Sequence, residues 1–416
     1  MNSELERLGI NAKKSALVLA NVISSKKNEA LFAISKALVD NAQDILAANK
    51  LDMQNSIKNG LSIAMQDRLL LTFQRIKGIA DAVSDVAKLP DPVGKILSGT
   101  TLENGLEMIK KTVPLGTIGI IYESRPNVTV DCGVLCLKSG NTCILRGGSE
   151  AINSNKAIVN VMRSAIEKAG LPADLIQLVE NTSRETATKL MRLNEYVDLL
   201  IPRGGKGLIQ SVVKNATVPV IETGAGNCHI FIDQSADISM SVSIVSNAKT
   251  SRPSVCNAVE TLLVHENISQ KVLPEIYSSL TESGVEIRGC GRTVTILGDK
   301  IIPAAEGDWE TEYDDYILAI KVVNSIEDAI QHIETYSTHH SEAIITEDYT
   351  NSQIFIERVN SAAIYVNAST RFTDGGVFGL GAEIGISTQK LHARGPMGLE
   401  ALTSVKYILR GNGQVR

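Results

Sequence analysis

Short apolar runs alternate with helical stretches along much of this chain, and that alternation constrains the fold more than any other feature. The first set of runs is rich in β-branched residues and predicts strands at GTIGIIYE, TCILRGG, LIQLVE, VDLLIPRGG and VPVIETG. Helices are predicted between them at residues 128–138, 153–169, 184–192 and 207–215. Such alternation favours an α/β fold with a doubly wound parallel sheet, which binds ligands at the carboxyl ends of its strands.

A second alternating stretch follows ETGAGNCHIFID. Helices are predicted near residues 237–249, 267–283, 325–335 and 348–358. Strands are predicted at ETLLVH, 285–289, 317–323, 342–346 and AAIYVNA. We therefore expect a second α/β domain of about 130 residues, an ordinary domain size.

The two ends of the chain differ from this pattern. Residues 3–88 have helical periodicity throughout. The tail TSVKYILRGNGQVR predicts a strand without an obvious neighbour. Together with LEMIKKTVPLG it is expected to form a protruding sheet that pairs with another subunit.

Composition narrows the class of protein. The chain has 416 residues and a formal net charge of −5, with no basic cluster that would favour nucleic acid. No run approaches the roughly 18 apolar residues that a membrane span needs. Six cysteines in a large chain without a recognisable secretory signal indicate free thiols in a reducing compartment. We expect a cytoplasmic protein with no membrane or nucleic-acid partner.

Two glycine-bearing loops are candidates for binding a nucleotide. Arg146 and Gly147 follow one predicted strand, and Gly204, Gly205 and Lys206 follow another. Backbone N–H groups at glycines, a helix N-terminus and nearby cations all favour phosphate. The alternative is that these glycines only close βα turns. Two such loops on one sheet favour the nucleotide.

Cys256 is the candidate nucleophile. Arg252 precedes it by four residues, and nearby positive charge favours the reactive thiolate. Glu222 lies in a glycine-bearing turn 34 residues earlier (256 − 222), and we expect one active site built from two domains. The alternative is a buried structural cysteine, the usual state of a free thiol.

The histidines suggest no metal site. His332, His339 and His340 lie in HIETYSTHH, on a predicted helix and its end, without a neighbouring carboxylate cluster. We expect them on a solvated helix surface, and we expect no bound metal.

From about Val113 to Gly385 the chain resembles the aldehyde dehydrogenase superfamily. The segments that carry the resemblance are VPLGTIGIIYESRPNVT, CILRGGSEAINSN, PVIETGAGNCHIFID and NAKTSRPSVCNAVETLLVH, with HARGPMGLEALTSVKY beyond that range. The resemblance implies two doubly wound α/β domains, a Rossmann-like cofactor domain and a catalytic domain, plus a small protruding β element for oligomerisation. The expected cofactor domain comprises residues 1–104, 118–232 and 372–390, the catalytic domain 233–371, and the oligomerisation element 105–117 and 391–416.

The resemblance also implies roles for single residues. Cys256 falls on the family's nucleophile, and Glu222 on the general base of members that hydrolyse an acyl-enzyme. Arg146 matches a position that contacts the adenosine ribose or its phosphate, and Glu312 matches the ligand of the nicotinamide ribose. Gly224, beside Glu222, is expected to contact the cofactor as well.

Three features depart from the family pattern. Asp314 replaces the aromatic residue expected two positions after Glu312. The oxyanion-binding asparagine aligns with Ser124, whereas Asn127 lies three residues on; we favour Asn127 because an amide N–H is the better donor. Glu222 has no hydrolysis to promote in acyl-phosphate reduction, so it could orient the cofactor or accept the thiol proton.

Within the superfamily the resemblance is to enzymes that reduce an acyl phosphate. The implied reaction is NADPH-dependent reduction of L-glutamyl 5-phosphate to the 5-semialdehyde, for proline synthesis. Arg146 and Lys206, with no acidic residue evident at the ribose position after CILRGG, favour NADPH over NADH.

The groups expected to bind this substrate surround the approach to the nucleophile. Arginine binds phosphate and carboxylate in a bidentate manner, and the alternative for each is an ordinary ion pair. The candidates are Arg125, Ser251, Arg252 and Arg371. A homo-oligomer is expected, with possible coupling to the kinase that makes the acyl phosphate. The rival functions are an oxidising semialdehyde dehydrogenase and a catalytically silent NADP-binding scaffold.

Overall fold

The structure is a computed structural model that describes residues 4–416, apart from the side chains of residues 63 and 64. It divides into two compact units. The first unit runs to Thr223 and includes Gly379–Gly385 and Met397–Arg416. The second comprises Gly224–Phe378 and Ile386–Pro396. The starts of the predicted helical region and of the predicted cofactor domain lie outside the described residues.

Fourteen helices and sixteen strands make up the described chain. The helices are α1 (Glu4–Leu19), α2 (Ser24–Asp40), α3 (Ala42–Lys58), α4 (Ile63–Leu69), α5 (Phe73–Lys88), α6 (Pro126–Lys138), α7 (Ile152–Lys168), α8 (Arg184–Met191), α9 (Lys206–Asn215), α10 (Ile238–Thr250), α11 (Glu266–Glu282), α12 (Gly291–Leu297), α13 (Ile326–Tyr336) and α14 (Tyr349–Arg358). The strands are β1 (Ile96–Thr101), β2 (Glu107–Pro114), β3 (Thr117–Tyr122), β4 (Thr142–Arg146), β5 (Ile176–Leu178), β6 (Leu199–Arg203), β7 (Cys228–Ile232), β8 (Val259–His265), β9 (Glu286–Gly289), β10 (Ile302–Pro303), β11 (Ile317–Val323), β12 (Ser341–Ile345), β13 (Ala363–Val366), β14 (Ile386–Ser387), β15 (Gly395–Pro396) and β16 (Thr403–Arg410).

The first unit contains a four-stranded parallel sheet in the order β5-β4-β3-β6. The predicted alternation of strands and helices is confirmed here, with one exception. VPVIETG forms no strand: it contributes only an isolated parallel bridge between Leu200 and Val220. The prediction of a strand there was wrong because a short apolar run cannot distinguish a strand from a buried loop.

Helices α1–α5 confirm the predicted helical region, and buried polar groups hold parts of it in place. Lys27 and Lys138, named here the buried lysine pair, lie inside the first unit. The Lys27 ammonium forms an ion pair with Asp91 (2.5 Å) and donates to the Lys138 carbonyl (3.1 Å). The Lys138 ammonium donates to the Asn28 side chain (2.6 Å) and the Ala87 carbonyl (2.9 Å). One carboxylate therefore compensates two buried cations.

The C-terminal strand finds its partner far away in sequence. β16 pairs antiparallel with β2 along its whole length, and β1 pairs with the other edge of β2. The pairing of the tail with LEMIKKTVPLG is thereby confirmed. β1 had no counterpart in the sequence prediction because its residues, ILSGTT, are all exposed and carry no apolar alternation.

The second unit contains a seven-stranded parallel sheet in the order β10-β9-β11-β8-β7-β12-β13. Side chains alternate between its faces, as strand geometry requires. Ile230 and Leu262 pack into one cluster with α10 and α11, whereas Phe231 and Leu263 pack into another with α13 and α14. Covering both faces buries β7 and β8 completely, which explains their continuous apolar runs.

Candidate active site

Cys256 lies in the loop between α10 and β8 and is half-buried. The main chain at Gly226 passes directly against it: a Cβ added to Gly226 would lie 1.5 Å from the Cys256 carbonyl oxygen. The Cys228 thiol donates to that same oxygen (3.1 Å). Burial raises the pKa of Cys228 well above its usual range, so this thiol stays protonated and remains a donor. The segment before β7 thus supports the nucleophile's main chain.

Two arginines flank Cys256 within the second unit. Arg371 donates from Nε to the Ser251 hydroxyl (3.0 Å) and from Nη1 to the Asn257 side-chain oxygen. Burial lowers the pKa of Arg371 and the neighbouring charge of Arg252 lowers it further, whereas Cys256 and Asp374 oppose the shift. Among residues 4–416, neither guanidinium forms an ion pair with a carboxylate. Two adjacent cations without an ion-pair partner in this part of the chain favour an anionic ligand.

Glu312 is hydrogen-bonded to Gly226, the residue whose main chain lies against Cys256. Its Oε1 accepts a hydrogen bond from the Gly226 N–H (2.6 Å). Two residues on, Asp314 has a positive φ of 54°, and its N–H donates to Glu260 (3.4 Å). Glu260 forms a buried ion pair with Lys249 (2.6 Å). Gly226 therefore contacts both Glu312 and the Cys256 loop.

The two glycine loops of the first unit lie at the carboxyl ends of β4 and β6. Gly205, which precedes α9, donates its N–H to the Glu123 carboxylate (3.0 Å). A Cβ added to Gly204 would lie 2.5 Å from the same carboxylate. The Glu123 carboxylate thus accepts the hydrogen bond from the N–H group that the sequence analysis assigned to a phosphate. This contact is consistent with a helix N-terminus that binds anions. Lys206 begins α9 and is exposed.

Arg146 ends β4 and is half-buried. Its Nη2 donates to the Thr182 carbonyl (2.5 Å), whereas its buried Nε finds no hydrogen-bond partner among the described residues. Burial lowers the pKa of Arg146, and Glu150 and Glu123 partly oppose that shift. Glu150 therefore lies within electrostatic reach of Arg146. The expected preference for NADPH over NADH stays a prediction.

Two side chains compete for the role of oxyanion donor. The Ser124 hydroxyl donates to Glu150 (2.6 Å), and its N–H donates to the same carboxylate oxygen (2.7 Å). Its hydroxyl proton is therefore already engaged. Asn127 is half-buried and donates one side-chain N–H to Asp131 (3.1 Å), and an amide carries a second N–H. The hydrogen bonding favours Asn127. Arg125 immediately precedes α6 and is half-buried.

The segment that contains Glu222 crosses from one unit to the other. Glu222 is half-buried and belongs to the first unit, whereas Cys256 belongs to the second. Within the first unit, the Thr223 hydroxyl donates to the Pro202 carbonyl (2.7 Å). Within the second, Gly224 donates its N–H to the Ile386 carbonyl (2.9 Å). Pairing of Glu222 with Cys256 stays a prediction.

The histidines are not on a solvated surface, and that prediction was wrong. His332 and His340 are buried, and His339 is half-buried. The His332 ring packs against Trp309 and against His229, whose pKa burial lowers to about 4. The polarity of the histidines suggested exposure to solvent. However, the face of α13 that carries His332 also carries the apolar residues of this helix. No group of three or more metal-binding side chains occurs within residues 4–416.

Several residues that shape the site escaped the sequence analysis. They are Gly226, Cys228, Lys249, Asn257 and Glu260. Gly226 could have been noticed, because it is the second glycine of GAGNC. The others carry no local signal, since their importance depends on contacts with distant segments.

None of the helices in the described part of the chain is long and apolar enough to span a bilayer.

The fold and the Cys256 loop together define an α/β enzyme with a candidate cysteine nucleophile. The aldehyde dehydrogenase family model matches residues 2–286. A gamma-glutamyl phosphate reductase of Clostridium perfringens is 58% identical over 416 residues, covering 100% of both chains. The crystal structure of the gamma-glutamyl phosphate reductase of Thermotoga maritima is 50% identical and aligns with a TM-score of 0.96, covering 100% of both chains.

The chain belongs to the aldehyde dehydrogenase family and, within it, to the gamma-glutamyl phosphate reductases. This membership confirms the predicted α/β fold and identifies the protein as an oxidoreductase. It also implies a nicotinamide cofactor. An acetylating aldehyde dehydrogenase from Geobacillus thermoglucosidasius, 18% identical, has the same fold with a TM-score of 0.72, covering 99% of this chain and 97% of its own.

Proposed function

We propose that this enzyme reduces L-glutamyl 5-phosphate to L-glutamate 5-semialdehyde and phosphate, in proline biosynthesis, with NADPH as reductant. The observation that carries the proposal is the pair of arginines beside Cys256, Arg252 and Arg371, neither of which has an ion-pair partner within residues 4–416. An acyl phosphate is the anionic, activated substrate that such a site would favour. The close relatives that carry the reductase name support the same reaction.

The chemistry follows from a thiol beside cations. The Cys256 thiolate attacks the acyl carbon, and the oxyanion accepts hydrogen bonds from the Cys256 N–H and the Asn127 amide. Phosphate leaves with the electron pair of the broken C–O bond, and a thioester remains on Cys256. A bound nicotinamide would supply the hydride for this thioester. The C–S bond then breaks, so that the Cys256 thiolate is regenerated and the semialdehyde is released.

Glu222 has a different task in this reaction from its task in hydrolytic relatives. No water needs to be activated, because the acyl group is exchanged with phosphate and is not hydrolysed. We propose that Glu222 accepts the Cys256 thiol proton or orients the cofactor. A carboxylate suits either task, since it can accept a hydrogen bond or a proton.

The residues at the strand ends of the first unit fit a phosphate-bearing nucleotide. Within the described part of the chain, the buried Nε of Arg146 has no hydrogen-bond partner, and Lys206 and the Gly205 N–H lie at the start of α9. Gly147 is needed because a Cβ there would lie 2.2 Å from the buried Asn155 amide. We propose that these groups hold the phosphates of NADPH, with Gly204 and Gly224 allowing close approach. Binding requires the Glu123 carboxylate to leave the Gly205 N–H.

Glu312 would hold the nicotinamide ribose. Its carboxylate already accepts a hydrogen bond from Gly226, the residue whose main chain contacts Cys256. A carboxylate fixed there can accept hydrogen bonds from ribose hydroxyls close to the thioester.

An engineered glycolyl-CoA reductase of the same fold was crystallised with NADP+, with 14% identity and a TM-score of 0.70, covering 97% of this chain and 96% of its own.

The organisation of the chain follows the same proposal. Residues 1–104, 118–232 and 372–390 would form the NADPH-binding domain and residues 233–371 the catalytic domain. Residues 105–117 and 391–416 would form the oligomerisation element, supported by the β1-β2-β16 sheet, whose outer strands β1 and β16 are largely exposed. We further propose a cytoplasmic homo-oligomer, with functional coupling to the kinase that supplies the unstable acyl phosphate.

The oxidative direction provides the test. Purified enzyme is incubated with glutamate 5-semialdehyde and NADP+, with and without phosphate, and NADPH formation is followed by absorbance. We expect oxidation to require phosphate. Equal rates without phosphate would indicate a hydrolytic semialdehyde dehydrogenase instead.

Replacing the nucleophile tests the mechanism. Cys256→Ala should abolish turnover because no thioester can form, while NADPH binding, measured by fluorescence, stays close to that of the wild type. Cys132→Ala is the control, since Cys132 is fully buried in α6 and should leave turnover intact in folded protein. Turnover by the Cys256→Ala variant would show that Cys256 is not the catalytic nucleophile. Absence of turnover in the wild-type enzyme with any semialdehyde would favour the scaffold function.

A further inference from the structure

Asn257, the residue directly after Cys256, is buried and fully engaged in hydrogen bonds. Its side-chain N–H group donates to the carbonyl oxygens of Arg371 (3.2 Å) and Thr373 (2.9 Å). Its side-chain oxygen accepts from Arg371 Nη1, and its main-chain oxygen accepts from the Thr370 hydroxyl (2.7 Å). These contacts join the nucleophile's immediate neighbour to a segment more than a hundred residues away.

The same contacts fix the Arg371 guanidinium without neutralising it. Asn257 holds Nη1 and the Ser251 hydroxyl holds Nε (3.0 Å), and both acceptors are uncharged. An amide oxygen orients a guanidinium as a carboxylate would, but it leaves the positive charge available to a ligand. Arg252 adds a second cation nearby. An arginine that is oriented but not paired is suited to bind an anion next to Cys256.

We propose that Asn257 is a positioning residue that holds Arg371 as the binding group for the phosphate of the substrate. This inference rests on the function proposed above. In the acyl phosphate, the phosphate is bonded to the acyl group that Cys256 attacks. The α-carboxylate is separated from that carbon by the rest of the glutamyl chain. Because Arg371 is anchored to the residue next to Cys256, the phosphate is the nearer anion.

The oxidative reaction separates the two anions, because phosphate and the semialdehyde are then distinct substrates with distinct KM values. The wild type, Asn257→Ala and Asn257→Asp are compared by varying phosphate, semialdehyde and NADP+ in turn. We expect Asn257→Ala to raise the KM for phosphate about tenfold, the usual loss for one charge-assisted contact. We expect Asn257→Asp to raise it further, because the new carboxylate neutralises Arg371. The KM for NADP+ should stay within about twofold of the wild-type value.

Matched variants separate positioning from general damage. Asn267→Asp introduces the same change of charge at an exposed residue of the second unit and should leave all three KM values unaltered. If an Asn257 variant fails to fold, as judged by its melting temperature and NADPH binding, Ser251→Ala tests the other hydrogen bond to Arg371. That variant should also raise the KM for phosphate selectively.

Two outcomes would overturn the inference while leaving the proposed function intact. One is an unchanged KM for phosphate in the folded variants, with phosphate still required for oxidation. The other is a selective rise in the KM for the semialdehyde, which would assign Arg371 to the α-carboxylate. If the wild-type enzyme itself oxidises the semialdehyde without phosphate, the proposed function fails first and the inference fails with it.

Discussion

Replacing Gly226 by alanine should displace the nucleophile while changing no group that takes part in the chemistry. A Cβ at this position would lie 1.5 Å from the Cys256 carbonyl oxygen, 2.3 Å from its carbon and 2.6 Å from its Cα. All three are main-chain atoms, so no side-chain rotation can relieve the overlap. Carbon and oxygen atoms need about 3.4 Å, so the Cys256 loop must move by nearly 2 Å.

The expected cost is large because the reacting atom moves with the loop. A displacement of about 1 Å can lower the rate about 100-fold, so we expect kcat of Gly226→Ala to fall at least that far. The displacement also disturbs the Glu312 hydrogen bond to the Gly226 N–H and the Cys228 hydrogen bond to Cys256. Overpacking of this kind typically costs about 1–3 kcal/mol of stability, which leaves a folded protein to assay.

The assay is phosphate-dependent oxidation of the semialdehyde, with the melting temperature measured in parallel. Gly291→Ala is the control, because Gly291 is the first residue of α12 and a Cβ there would meet nothing within 4 Å. This variant should retain wild-type turnover. A folded Gly226→Ala enzyme with turnover within about threefold of the wild type would refute the steric argument.

Two further predictions concern stability. Burial lowers the pKa of His229 from 6.5 to about 4 and that of His332 to about 2, so the unfolded chain binds more protons than the folded protein as pH falls below 6.5. The full free energy of unfolding is therefore present above pH 6.5, and each histidine should lower it by about 1.4 kcal/mol at pH 5.5. Equal denaturant midpoints at pH 7.5 and pH 5.5 would contradict this prediction. Asp91→Asn removes the carboxylate beside the buried lysine pair and should lower the free energy of unfolding by about 3 kcal/mol. Asp85→Asn, in an exposed ion pair, should change it by less than about 1 kcal/mol, and similar losses in the two variants would count against the buried pair.

Local sequence patterns anticipated most of the architecture. Predicted and observed helices agree closely, as at residues 207–215 and Lys206–Asn215, because apolar periodicity reports directly on which face of an element is buried. The same logic failed for VPVIETG, where apolar residues line a buried loop rather than a strand. It also failed for β1, where no residue is buried and the strand forms only because β2 offers an edge.

The sequence by itself also indicated the chemistry, since the motif around Cys256 and the approach through Arg252 are contiguous. Tertiary structure decided what surrounds them. It brought Gly226 against the Cys256 main chain, Arg371 onto Asn257, and the Glu123 carboxylate onto the Gly205 N–H. It also buried His332, which its polarity had suggested was exposed. The physical reason is that periodicity and motifs record the preferences of neighbouring residues, whereas close approach, charge compensation and burial depend on segments far apart in the chain.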